Sequence, residues 1–271
     1  ASTCSAKEEL NRRMVVAVRI RPLSEAEKVQ GKESCCKVFQ NKYVVIERAA
    51  KKGAAVLKTQ QRYQHEYAFD RAFSPEATQS DVYQGAAKDH ILSVLEGYNL
   101  TIFAYGATGA GKTHTMMGSC RMDATLDDDK EWEISGLIPQ SLADIFKAIK
   151  RFGESNPERR YSVSVSYLEV YNEHIYDLLT DSREKLDVRE DPKKGIVEVA
   201  YLSEEPVEST EEVLELLREG NKRRKTESTK VNTVSSRSHA VLQVLVKKTF
   251  MSEETGLEVC QSAKLSLIDL A

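Results

Sequence analysis

Apolar positions along this chain repeat with one period of about two residues and another of about 3.6, and the two alternate from end to end. Residues 14–19 form a short apolar, β-branched run that predicts a buried strand, closed by Pro22. Residues 43–47 and 66–69 predict further strands. The stretch between them, 48–62, carries Lys51-Lys52-Gly53 and predicts an exposed loop or hairpin tip. Over 75–96, Val82, Tyr83, Ala86, His90, Ile91, Val94 and Leu95 recur at near-helical spacing, and Gly97 follows as a C-cap. Residues 100–105 then predict a strand that runs into a glycine-rich stretch, with 114–117 in the helix beyond it. Residues 139–152 predict an amphipathic helix with Leu142, Ile145, Phe146 and Ile149 on one face. Residues 161–168, 241–248 and 264–268 predict three more strands. Ser209-Thr210-Glu211-Glu212 fits a capping box that opens a helix running to about Gly220. Interleaved strands and helices predict an α/β fold: a mostly parallel central sheet with helices on both faces, in one domain without internal repeats.

Composition narrows the function classes. With 41% hydrophobic residues the chain can build a sizeable core, and a net charge of -3 argues against a general nucleic-acid binder. The five cysteines are odd in number, two are adjacent (Cys35 and Cys36), and none forms a C-x-x-C pair. That suits a reducing compartment better than a disulfide framework or a zinc site. Residues 1–11 are polar, without the apolar core of a signal peptide, and no apolar run approaches the ~20 residues that cross a bilayer. The expectation is a soluble intracellular protein. The polar stretch 119–135, with Asp127-Asp128-Asp129, predicts a solvated surface insertion.

Chemistry concentrates in three places. Gly106-Ala107-Thr108-Gly109-Ala110-Gly111-Lys112-Thr113 fits the phosphate-binding pattern G-x-x-x-x-G-K-[ST], between a predicted strand and a predicted helix. Glycines let the backbone curl and turn its N–H groups toward phosphate oxygens, and the helix N-terminus adds partial positive charge. Lys112 would reach the β and γ phosphates, and the Thr113 hydroxyl would sit on Mg²⁺. Kinase, GTPase, ATPase and motor readings all remain open on this loop alone. The two Asn-Lys segments, Asn41-Lys42-Tyr43-Val44 and Asn221-Lys222-Arg223-Arg224, lack the Asp that guanine readers carry, which lowers the GTPase reading. Downstream, Asn232-Thr233-Val234-Ser235-Ser236-Arg237-Ser238-His239 gathers hydroxyls, an amide and a guanidinium, the groups of a switch loop over a γ-phosphate. Asp269, at the tip of the strand predicted over 264–268, is a candidate third member near the magnesium.

These residues resemble the kinesin motor domain. Arg19-Ile20-Arg21-Pro22 is similar to the family's R-x-R-P segment, and Phe69-Asp70-Arg71-Ala72-Phe73 to its F-D-x-V-F. Residues 96–116 follow its E-G-Y-N-x-T-I-x-A-Y-G-x-T-G-x-G-K-T-x-T-M almost throughout, and 166–179 its S-x-L-E-I-Y-N-E-x-x-Y-D-L-L. Residues 232–239 resemble its first switch, and Asp269-Leu270-Ala271 the opening of its second. Myosins share part of this set, but Ser238-His239 points to kinesin.

The resemblance implies an ATP-hydrolysing microtubule motor, with ATP and Mg²⁺ as its ligands and the cytoplasmic cytoskeleton as its location. It implies a motor domain over 14–271, cut within the second switch, after an N-terminal extension of 1–13. Arg19, Arg21, Pro22 and His114 would flank the adenine, and Gly106 to Thr113 would hold the phosphates. Thr113, Ser236 and Asp269 would serve the metal, Asp269 through its waters. Asn232, Ser235 and Ser236 would orient the attacking water, Arg237 would hold a partner carboxylate, and Arg224 would support that network. Lys51, Lys52, Lys193 and Lys194 would meet the acidic track. Ala107 replaces a common Gln and Gln140 a common Arg. The phosphate loop and residues 239–244 look most like the kinesin-eight class. Two rivals stay open: a microtubule-binding module with weak or no ATPase, and a small-molecule phosphotransferase, for which no acceptor site is visible.

Overall fold

The computed structural model describes residues 14–47, 64–118, 135–156, 158–182, 184–192, 195–226, 238–252 and 255–271. The chain divides into two compact units, 1–86 and 87–271.

In the first unit, β1 (Ala17–Arg19) pairs in parallel with β5 (Arg71–Phe73). β1 starts later than the apolar run predicts, because the Val16 N–H donates to Asp70 Oδ2 at 2.9 Å. A separate antiparallel sheet holds β2 (Cys36–Phe39), β3 (Tyr43–Glu47) and β4 (Gln64–Ala68). α1 (Glu25–Val29) is a one-turn helix with a full capping box between Ser24 and Glu27. α2 (Gln79–Ala86) follows a reciprocal cap: Asp81 N–H donates to Thr78 Oγ1, and the Thr78 N–H returns to Asp81 Oδ2.

The helix predicted over 75–96 is not continuous. α2 stops at Ala86, Ala87 has φ -125°, and the chain resumes as α3 (Lys88–Ile91) and a 3-10 turn, Leu92–Glu96. Gly97 closes that turn at φ 92°, the C-cap its position predicts.

The second unit is built on a seven-stranded sheet. β6 (Leu100–Ala104) lies beside β14 (Glu258–Asp269), then β13 (Ser238–Met251), β7 (Arg160–Tyr171), β8 (His174–Asp177) and β9 (Lys185–Leu186). A short β12 (Glu205–Val207) also pairs with β7. A two-stranded ribbon, β10 (Val188–Asp191) with β11 (Ile196–Val199), stands apart from this sheet. The α/β class holds, but the sheet is mixed rather than mostly parallel. Among the described residues of this sheet only β6 and β14 run in parallel. The reason is connectivity: β13 turns back into β14 as a hairpin, paired from Ala240 with Asp269 to Met251 with Glu258, and hairpins are antiparallel.

Alternation sets the buried face. Ala240, Leu242, Val244 and Val246 of β13 are buried beside Ala263, Leu265 and Leu267 of β14 and Val163 and Val165 of β7. α4 (Lys112–Met117), α5 (Leu137–Ser155) and α6 (Thr210–Thr226) supply Met116, Leu142, Ile145, Val213 and Leu217 to the same core. Burying one such side chain contributes about 1.5–3 kcal/mol. Two glycines set close approaches. A Cβ on Gly136 would meet backbone atoms of Met116 and Gly118 at 2.5 Å, so only glycine lets the start of α5 lie against the end of α4. A Cβ on Gly220 would lie 2.6 Å from the Tyr167 ring. α6 continues to Thr226 and does not end near Gly220, so this glycine serves a helix–strand contact rather than a cap.

Candidate nucleotide site

Parallel pairing of β6 with β14 decides the geometry of the site. It sets Ala104 opposite Asp269, so both strands reach the same edge of the sheet at their C-terminal ends. Ligands of α/β sheets gather at that edge. From there the chain turns through 105–111 into α4. Gly109 at φ 80° and Gly111 at φ 93° occupy the left-handed region, where a side chain would strain the backbone. The Ala110 N–H closes the turn on the Ala107 carbonyl at 3.0 Å.

The Lys112 ammonium folds over its own loop, donating to the Gly106 carbonyl at 2.9 Å and the Ala107 carbonyl at 3.3 Å. The cation is thereby held above the mouth of the turn. One residue on, Thr113 Oγ1 donates to Asp269 Oδ2 at 2.7 Å across 156 positions of sequence. Asp269 is buried, and its other oxygen, Oδ1, has no hydrogen-bond partner among the described residues. A buried anionic oxygen beside a hydroxyl is a hard oxygen donor pair of the kind Mg²⁺ selects, so these residues fit the ion.

Behind this edge lies a buried polar network. Arg224 of α6 pairs with Glu169 of β7, Nε to Oε1 at 3.2 Å, and donates to the backbone oxygen of Ser238 at 2.7 Å. Tyr167, on the same face of β7, donates to Asn221 Oδ1 at 3.0 Å. Burial pushes its hydroxyl up to about 12, with Arg224 opposing and the Asp269 and Glu169 carboxylates reinforcing the rise. At the same end of β13, His239 Nδ1 accepts the Ala271 N–H at 2.9 Å, which places the ring proton on Nε2. The start of β13 is thus tied to the exit of β14.

A family model described as the kinesin motor domain matches residues 19–271. The chain belongs to the kinesin motor domain family. Several similar proteins are of the kinesin-eight class. Kinesin-like protein KIF19 of Homo sapiens is 40% identical over 96% of this chain and 24% of its own length. Kinesin-like protein KIN-8A of Oryza sativa subsp. japonica is 40% identical over 96% of this chain and 31% of its own. KIF18A of Mus musculus is 39% identical over 98% and 29%. This chain therefore spans about a quarter to a third of these relatives. A solved kinesin, described as "Structure of a fast kinesin: Implications for ATPase mechanism and interactions with microtubules", superposes with a TM-score of 0.78 at 34% identity. It covers 95% of this chain and 65% of the solved one.

The structure places Asp269 against Thr113 at the end of the 106–113 loop, with Lys112 folded over that loop. His114 lies exposed in α4. Arg19, Arg21 and Pro22 belong to the first compact unit. Arg19 donates to Gln79 Oε1 at 2.7 Å and to the Ala77 carbonyl, and burial lowers its pKa. Arg21 is bidentate on Glu27, which raises its pKa, and also donates to the Pro22 carbonyl. The Arg21 guanidinium, ahead of the Ser24 N–H, draws the Glu27 carboxyl down to about 2. Asn232, Ser235, Ser236 and Arg237 lie outside the described residues, as do Lys51, Lys52, Lys193 and Lys194. Glu169, the Glu of the motif matched over 166–179, is a member of the network to which the sequence reading gave no role. Its signal in the sequence is phase: Val163, Val165 and Tyr167 alternate inward, and Glu169 falls next in that series.

Proposed function

We propose that this chain is the ATP-hydrolysing head of a microtubule motor. The observation that carries the reading is the Thr113–Asp269 contact, which closes a phosphate loop onto a buried carboxylate with one oxygen to spare. Family membership supplies the rest. Residues 14–271 then constitute the motor domain, 1–13 an extension before it, and Asp269-Leu270-Ala271 the opening of its second switch.

Backbone N–H groups of 106–113 cradle the β and γ phosphates of ATP, and Lys112 shifts its ammonium from the Gly106 carbonyl onto them. Thr113, Ser236 and Asp269 are the residues that would hold Mg²⁺, Asp269 through water, and a bound Mg²⁺ would supply charge stabilisation at the phosphate oxygens. Asn232, Ser235 and Ser236 orient the attacking water, and Arg237 grips a carboxylate when the first switch closes. Little covalent chemistry is asked of the side chains, since positioning and charge stabilisation do most of the work. Arg19, Arg21, Pro22 and His114 flank the adenine. Lys51, Lys52, Lys193 and Lys194 face the acidic track.

Steady-state ATP turnover with and without microtubules tests this reading. Turnover should rise on adding microtubules and vanish in Lys112→Ala. Equal turnover in that variant would remove the phosphate loop from the chemistry. Microtubule binding without turnover in the parent protein would favour a binding module instead.

A further inference from the structure

Two adjacent cysteines, Cys35 and Cys36, stand at the entrance to β2 in the first compact unit and carry none of the roles assigned above. Cys35 is exposed, Cys36 is half-buried, and both are free thiols. Their sulfurs lie 3.8 Å apart. The Cys36 thiol is pushed up first by burial and then by its neighbour Cys35. Cys260, on β14, is also exposed but has no cysteine beside it in sequence.

Adjacency decides what the pair can become. Consecutive Cα atoms are about 3.8 Å apart across a trans peptide, whereas disulfides usually join Cα atoms about 4.4–6.8 Å apart. Successive side chains of an extended backbone also point to opposite faces. A bond between Cys35 and Cys36 is therefore strained and too easily reduced to hold the fold together. It suits instead a bond that forms under an oxidant and is removed again by other thiols.

The backbone shows what ring closure disturbs. The Cys35 carbonyl accepts the Glu47 N–H at 2.8 Å, just beyond the Cys36–Ile46 pair that begins the β2–β3 ladder. Bringing the two sulfurs to bonding distance turns Cys35 out of the extended geometry, and its carbonyl turns with it. The pairs from Cys36 with Ile46 to Phe39 with Tyr43, and the Lys37–Glu47 ion pair at 2.9 Å, keep the rest of the hairpin in register.

We infer that Cys35 and Cys36 form a peroxide-sensitive dithiol, a reversible modification site whose oxidation frees the Glu47 N–H and loosens the open end of the β2–β3 hairpin. The inference does not rest on the motor reading. The exposed Cys35 reacts first. Its thiolate attacks a peroxide oxygen, the O–O bond breaks, and the departing hydroxide leaves as water with the thiol proton. The Cys36 sulfur then attacks Cys35 Sγ. An S–S bond forms, the S–O bond breaks, and the hydroxyl leaves as water with the Cys36 proton. Two thiols are oxidised to one disulfide, and hydrogen peroxide is reduced to two waters. At 3.8 Å, Cys36 captures the sulfenic acid before a second peroxide oxidises it further.

The full chain would be treated with graded hydrogen peroxide, quenched by alkylation and cut with trypsin, which releases Glu33–Lys37 with both cysteines inside. Mass spectrometry should find that peptide unalkylated and lighter by two hydrogens. This should occur at peroxide concentrations about tenfold below those that oxidise Cys260, because the second thiol is already in place. Dithiothreitol should restore both thiols. Amide exchange at Glu47, read by NMR, should speed up about tenfold on oxidation while the rest of the hairpin stays protected. In Cys36→Ser, Cys35 should stop at a sulfenic acid that dimedone traps, and then pass on to the sulfinic acid. Oxidation of both cysteines to sulfinic acids without ring closure, or oxidation no easier than at Cys260, overturns the inference. A disulfide that links two chains does the same. A ring within Glu33–Lys37 with unaltered exchange at Glu47 overturns the loosening of the hairpin.

Discussion

At the scale of single residues, the site depends on one carboxylate with divided duties. Asp269 accepts the Thr113 hydroxyl with one oxygen and keeps the other buried and unpartnered. Asp269→Asn keeps the size but loses the charge. The Mg²⁺ concentration that half-saturates turnover should rise about tenfold or more, since a hard cation prefers a carboxylate to an amide. A metal titration of steady-state turnover checks this, and an unshifted midpoint would separate Asp269 from the ion. Tyr167 offers a second handle. Its hydroxyl ionises near 10 in a model peptide and near 12 in the folded protein, raised first by burial. Between those values the folded state holds a proton that the unfolded state has lost. Stability present below pH 10 is therefore lost as pH rises toward 12. Denaturation midpoints measured across that range should fall in the parent and fall less in Tyr167→Phe. Glycine, lysine and threonine of the phosphate loop were legible from spacing alone. Glu169 was visible as part of the motif over 166–179, but its buried pairing with Arg224 was not, because a charge in an alternating strand reads as an outward position until the phase of its neighbours is counted.

At the scale of elements, α6 shows how packing overrides local signals. Gly220 reads as a helix end, yet the helix runs on to Thr226, and the glycine instead leaves room for the Tyr167 ring where a Cβ would sit. Gly220→Ala should improve intrinsic helix propensity but force the ring aside. The net expectation is a loss of about 1–3 kcal/mol from overpacking, read as a lower denaturation midpoint. A gain in stability would show that the interface yields more easily than its distances indicate. The start of the same helix follows its sequence closely. The Glu212 N–H donates to Ser209 Oγ at 3.2 Å, and the Glu212 carboxylate reaches back to the Glu208 N–H, one residue before the capping-box partner. Ser209→Ala should cost about 1 kcal/mol through the lost cap. The long helix predicted over 75–96 failed for the opposite reason. Its apolar spacing is helical, but periodicity does not register the break in φ at Ala87.

At the scale of the whole molecule, a protein of net charge -3 is proposed to ride an acidic track. That combination requires local basic contacts against an unfavourable mean field. Affinity for microtubules should fall steeply as salt rises from low to physiological strength, since exposed pairs are screened over about 8–10 Å. Replacing Lys51, Lys52, Lys193 and Lys194 with Ala should flatten that dependence. Co-sedimentation at graded salt provides the test, and a parent without salt dependence would remove those lysines from the interface.

Sequence alone located elements whose information is local: the turn of the phosphate loop, seven of the fourteen strands among the described residues, and the helices α4, α5 and α6. Each is written in the spacing and chemistry of neighbouring residues. Tertiary structure decided what depends on distant pairing. The hairpin of β13 and β14 makes the sheet mixed, and the parallel register of β6 and β14 carries Asp269 to Thr113. Spacing along a strand says which face a residue takes, but not which strand lies beside it. That choice is made by hydrogen bonds between segments far apart in the chain.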